Sequence, residues 1–199
     1  MDAISLLTRD HRAVEKLFSR FEKTSDQATK SRRALVDEMI EALSRHAAIE
    51  EEYFYPAARQ ALGPSHSEIV LEAIEEHHVV KWTLNELLSM SPRHERFKAK
   101  VVVLMESVRH HVEEEEGELF PKLRKIMDAA TLKTLGKTLE LARSRAPTRP
   151  HPRAPDSPPG NRVVAPLAAA MDRSRDLLVS LTARRGKQRK AVVAKSQLH

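Results

Sequence analysis

Four histidines and two glutamates recur in this sequence at spacings that suit metal ligation. His46 stands four residues before Glu50 and ten before Pro56; His111 stands four before Glu115 and ten before Pro121. The two segments, HAAIEEEYFYP and HVEEEEGELFP, are offset by 65 residues. A lone histidine precedes each of them, His11 in DHRAVEKL and His77 in EHHVVKWTL, offset by 66. The chain is therefore internally duplicated, and each half supplies one lone His and one His-x-x-x-Glu. Residues four apart lie on one face of a helix, one turn apart. His46 with Glu50, and His111 with Glu115, can thus reach one metal pair. Imidazole with carboxylate suits iron, zinc or manganese. Paired bridging carboxylates in a helical bundle are a di-iron or di-manganese arrangement.

The elements that must position these residues are helices. Ile4, Leu7, Val14, Phe18 and Phe21 mark the first. Val36, Met39, Leu43 and Phe54 mark a second, over about 30–61, which Gly63-Pro64-Ser65 ends. Val70, Ile74, Leu84 and Leu88 mark a third, over about 67–90. The fourth carries Val101, Leu104, Val108, Leu119 and Leu123, with Ser91 as its expected N-cap and Pro92 at its first position. A shorter helix over about 129–145 follows. The inward face of the fourth helix reads Leu104, Val108, His111, Glu115, Leu119, so polar groups occupy positions where the pattern demands core residues. A buried carboxylate costs several kcal/mol unless paired, hydrogen-bonded or metal-bound. The spacing predicts an all-α fold, an up-down-up-down four-helix bundle over 1–146 with one short extra helix.

Composition agrees. Phe, Trp and Tyr make up only 4 % and glycine numbers five, which disfavours sheet. With no cysteine, disulfides, thiolate sites and iron–sulfur clusters are excluded, leaving N and O ligands. No signal pattern opens the sequence, and no apolar run approaches the roughly 18 residues of a membrane span, so a cytoplasmic location is expected. Residues 1–146 carry 23 Lys+Arg against 25 Asp+Glu, and residues 147–199 carry 11 against 3, so the basic character belongs to the tail. Residues 147–160 (PTRPHPRAPDSPPG) hold six prolines and read as a stiff linker, with 147–162 as the boundary region. Beyond it, 163–199 is a basic segment, partly helical over 163–183.

The ordered motifs HRAVEKLF at His11, HAAIEEEYFYP at His46, EHH at Glu76 and HVEEEEGELFP at His111 resemble the haemerythrin-like HHE cation-binding family over roughly residues 1–127. The resemblance implies a four-helix bundle and a non-haem di-iron centre with a bridging oxide or hydroxide. It also implies binding of or reaction with dioxygen, nitric oxide or peroxide. By that likeness the ligands are His11, His46, Glu50, His77, His111 and Glu115. Oxygen-carrying haemerythrins resemble a five-histidine site with one aspartate. Four histidines and two glutamates leave one open position on each ion, favouring redox chemistry or sensing over carriage. The iron–sulfur repair relatives carry a cysteine-bearing segment, whereas this sequence has no cysteine.

Neighbouring residues take lesser roles. His78 and His110 sit about 100° round their helices from His77 and His111 and read as surface or supporting residues. Glu51 and Glu116 fall off the core face, where they either orient a histidine or meet water. Glu113, Glu114 and Glu118 read as solvated, and Trp82 as packing. Tyr53, three residues after Glu50, is the expected catalytic tyrosine beside the open metal positions. The favoured activity is catalase-like peroxide decomposition or nitric oxide handling. The alternatives are a non-catalytic iron or oxygen sensor, and metal buffering, signalling through the basic tail. That tail has no aromatic residue for base stacking, so nucleic acid is a weakly supported partner.

Overall fold

A computed structural model describes residues 1–155, 158–161 and 164–177. Helix α1 (Ala3–Glu22) is capped by Asp2, whose Oδ1 accepts from the Ser5 amide at 2.8 Å. Helix α2 (Thr29–Ile49) runs through a π turn (Glu50–Phe54) into α3 (Tyr55–Leu62), which stops at Gly63, a residue in the left-handed region (φ 75°). Helix α4 spans Glu68–Ser89. Helix α5 (Phe97–Glu114) runs through a second π turn (Glu115–Leu119) into α6 (Phe120–Ile126). Helix α7 (Ala129–Arg143) is capped by Asp128, which accepts from the Thr131 amide at 2.7 Å.

The result is an all-α helical bundle. α1 packs along α2, α4 along α5, and α7 against α1 and α2. One sequence expectation is corrected. α5 begins at Phe97, not at Pro92, because residues 91–96 close into tight turns. The Ser91 hydroxyl accepts from the Arg93 amide at 3.3 Å, and the Ser91 carbonyl accepts from the His94 amide at 2.9 Å. No helix among the described residues is long and apolar enough to cross a membrane.

Two apolar clusters form the core. One gathers Val14, Phe18, Met39, Leu43, Val80, Leu84, Leu104 and Val108; the other gathers Leu7, Ile49, Phe54, Val70, Ala73, Leu119 and Leu123. Along the chain His11, His46, His77, His111 and Glu115 fall between the two sets, and Glu50 comes one residue after Ile49, at the edge of the second. The candidate site is therefore a polar layer sandwiched between apolar ones.

The π turns occupy equivalent places in the two halves, each starting at a motif glutamate and followed by Pro56 or Pro121. Proline inside a helix removes a donor and crowds the carbonyl four residues back. One wide turn relieves both problems. It also shifts the register, so the Tyr55 amide bonds the Glu50 carbonyl, five residues back, and Phe120 bonds Glu115 likewise.

Residues 147–155 pack on the bundle in turns, and 164–177 are helical. Asp172 accepts from the Thr148 and Arg149 amides, both at 3.0 Å, and Asp176 accepts from Arg149 at 2.6 Å. The basic run from residue 178 onward, including the expected helix end at 183, lies outside the described residues.

Candidate metal centre

All six sequence-predicted positions are buried and converge. One ligand atom from each of His11, His46, Glu50 and Glu115 lies within 4.8 Å of the others, and so do atoms of Glu50, His77 and His111. Glu50, wholly buried, belongs to both groups. His11 Nε2 lies 3.1 Å from His46 Nε2, and His77 Nε2 lies 3.2 Å from His111 Nε2. Glu115 Oε2 lies 3.3 Å from His11 Nε2 and 3.7 Å from His111 Nε2. Glu50 Oε2 lies 3.0 Å from His46 Nε2 and 3.5 Å from His77 Nε2.

These approaches lack hydrogen-bond alignment at Glu50. Among the described residues both Glu50 oxygens and Glu115 Oε2 are buried with no hydrogen-bond partner. Buried polar atoms are nearly always partnered. Converging nitrogens and orphaned carboxylate oxygens are the donor set a pair of borderline-hard cations takes up.

Electrostatics makes the same demand. Burial, then the facing Glu115 carboxylate, pushes Glu50 well above its ordinary pKa. Burial, then neighbouring imidazoles, pushes His46 and His77 well below theirs, keeping both neutral and able to ligate. At His111 burial opposes the charge, but Glu115 and Glu76 together outweigh it and raise the pKa. Glu115 is the converse: burial opposes its charge, and His111 and His11 overcome it, lowering the pKa.

Three of the four outer nitrogens meet carboxylates. His11 Nδ1 lies 2.8 Å from Glu116 Oε1, and His77 Nδ1 lies 3.2 Å from Glu51 Oε1. Of the two roles open to Glu51 and Glu116, orientation of a histidine is the one the geometry shows. Glu51 also takes Lys81 Nζ at 3.0 Å, in the buried interior. His111 Nδ1 lies 2.8 Å from Glu76 Oε2. Sequence reasoning missed Glu76, although an acidic residue precedes the lone histidine in both halves, as Asp10-His11 and Glu76-His77.

The structure does not bring Tyr53 to the centre. Tyr53 lines a cleft with Ile49, Thr138, Leu141 and Ala142 on the α7 side. Tyr55 takes the position instead: its Oη donates to Glu115 Oε1 at 3.1 Å and lies 3.2 Å from His77 Nε2 and 3.4 Å from His111 Nε2. The π turn is the reason, since it adds a residue per turn and places position five, not three, above Glu50. Burial, then Glu115, raises the Tyr55 pKa, so the phenol keeps its proton. Its repeat counterpart, Phe120, stacks on His11 with ring centroids 5.8 Å apart. His110 is exposed, and Trp82 is a surface residue donating to His78 at 3.1 Å rather than core packing.

A model of the haemerythrin HHE cation-binding domain matches residues 2–123. An uncharacterised haemerythrin-like protein of Schizosaccharomyces pombe is 29 % identical over 85 % of this chain and 83 % of its own length. A Nostoc protein named DNA nickase is 26 % identical over 75 % of this chain, which spans only 41 % of that relative. The crystal structure of an HHE cation-binding domain-containing protein from Mycobacterium kansasii superposes with a TM-score of 0.61 at 23 % identity, over 72 % of this chain and 88 % of that one. Two His/Glu clusters joined through Glu50 form a haemerythrin-type di-iron site, and the chain belongs to the haemerythrin HHE cation-binding family.

Proposed function

We propose that His11, His46, Glu50, His77, His111 and Glu115 hold two iron ions, and that the centre reacts with peroxide or nitric oxide as a cytoplasmic enzyme. The observation that carries this reading is the pair of clusters sharing a wholly buried Glu50 with no hydrogen-bond partner among the described residues. The domain is assigned to 1–146, an up-down-up-down four-helix bundle with α7 as the extra helix. Residues 147–162 are assigned as linker and 163–199 as tail.

Bound iron would supply redox equivalents and Lewis acidity toward a small oxidant. The chain's own residues do the rest. Val14, Leu43, Val80 and Val108 line a small, mostly apolar cavity beside the four imidazoles, which suits a ligand of a few atoms. Tyr55 Oη, donating to Glu115, is placed to hold a proton beside the reacting ligand in place of the expected Tyr53.

Iron analysis followed by peroxide challenge tests this reading. Two irons per chain and oxygen evolution that disappears in His111→Ala are expected. Iron-free protein after anaerobic ferrous loading would overturn it.

A second reading, a sensor, is favoured by one contact. Asn161 Nδ2 donates to the Glu51 carbonyl at 3.1 Å, tying the C-terminal segment to the π turn that carries Glu50. A sensor requires tail proteolysis to change with iron or oxidant while turnover stays negligible.

A further inference from the structure

The duplication assigns each imidazole a carboxylate at its outer nitrogen, and the structure fills three of the four places. His11 takes Glu116 and His77 takes Glu51, residues that follow the two motif glutamates. His111 takes Glu76, the residue before His77. The repeat counterpart of Glu76 is Asp10, the residue before His11, and it should serve His46. It does not. Asp10 is buried, and its Oδ1 accepts from Arg143 Nη1 at 2.7 Å, with Arg9 Nε 3.5 Å away. The Arg143 carbonyl is held in turn by Arg45 Nη1 at 3.2 Å. His46 Nδ1 is left buried with no hydrogen-bond partner among the described residues.

The asymmetry has an identifiable source. α7 follows the duplicated region, packs against α1 and α2, and delivers Arg143 to this face alone. Aspartate is also one methylene shorter than glutamate.

We propose that the two metal positions differ in affinity, and that Arg143 sets the difference by holding Asp10 away from His46. The position served by His77 and His111 fills first and holds its ion. The position served by His11 and His46 fills second and exchanges. This rests on the di-metal reading above. Arg143 and Asp10 are positioning residues, acting through His46.

Loss of the outer hydrogen bond of a metal-binding histidine costs about 10–100-fold in affinity. Zinc titration of the metal-stripped full-length chain, followed by calorimetry, is therefore expected to show two steps separated by about that factor. Zinc suits the test because it takes the same ligand types without redox chemistry. Combining Arg143→Met with Asp10→Glu should draw the weak step to within a few-fold of the tight one and leave the tight step unchanged. A merely structural role for Arg143 would move both steps together. Circular dichroism checks that the variant folds.

The wild-type chain gives a second readout that needs no variant. At one zinc per chain, 15N resonances of His77 and His111 should shift while those of His11 and His46 stay. Equal affinities, or filling at His11 and His46 first, would overturn the proposal and leave the di-metal reading standing. Failure to bind any zinc or iron would bring down both.

Discussion

Glu50 offers the sharpest energetic test of the centre. Its side chain has no exposure, neither oxygen has a hydrogen-bond partner among the described residues, and burial pushes its pKa well above the ordinary value. A carboxyl with a raised folded-state pKa binds its proton more tightly in the folded chain than in the unfolded one. The unfolded chain therefore ionises first as pH rises past the ordinary value of 4.5. From there each pH unit costs the metal-free fold about a factor of ten in its folding equilibrium, until the native group ionises too. Replacing such a group by an apolar side chain of similar size stabilises by about 1–4 kcal/mol. Methionine is unbranched and fills irregular space. Metal-free Glu50→Met should therefore melt about 2–15 °C above metal-free wild type at pH 7. The gain should shrink as pH falls toward 4.5. With Co²⁺ at about a thousand times its Kd, wild type gains about 4 kcal/mol from binding while the variant, which has lost the shared carboxylate, gains less, so its melting advantage should shrink or reverse. Scanning calorimetry with and without metal, at pH 7 and 5, reads all of these. A metal-free variant that melts below wild type at pH 7 would refute the claim that Glu50 is buried at a cost that metal offsets.

Metal affinity should fall as pH falls. His111 and Glu50 both have raised pKa values and must lose their protons before ligating, so proton competition persists to higher pH than free side chains would give. Co²⁺ titrations at pH 6, 7 and 8 should show Kd weakening by about ten-fold or more per unit on the acid side; a flat profile would contradict the assigned protonation states. Gly136→Ala should destabilise the fold by about 1–3 kcal/mol, because an added Cβ would stand 2.6 Å from the Met1 carbonyl oxygen and 2.8 Å from the Ala3 nitrogen. An unchanged denaturation midpoint would show that α7 does not press on the start of α1 as described.

The long helices and the six converging side chains were legible in the sequence because both rest on periodicity. Misreading Tyr53 for Tyr55 has one cause: counting three or four residues per face assumes an α-helix, and the π turn inserts a residue just where the count begins. The signal was present in Pro56 and Pro121, each six residues after its glutamate, since a proline inside a helical run demands local widening. Arg143 drawing Asp10 away from His46 was not legible, because it depends on how α7 returns across α1, and no short-range pattern encodes that. Glu76 stood in plain view before His77, but its role emerges only when α4 and α5 lie side by side.

The polar layer between the two apolar clusters also bears on how the molecule comes apart. Each cluster draws residues from both halves of the duplication, and what joins them is a stratum of imidazoles and carboxylates that cannot cohere by hydrophobic contact. A cation pair in that stratum acts as a rivet between two cores. Loading iron is then part of completing the fold, and the metal-free chain should open locally in this stratum more often than the loaded one. Amide exchange would register this as faster opening along the middle of α1, α2, α4 and α5, with the flanking turns still protected. A centre buried this deeply can thus be supplied with metal through transient separation of its layers, without a permanent channel from the surface.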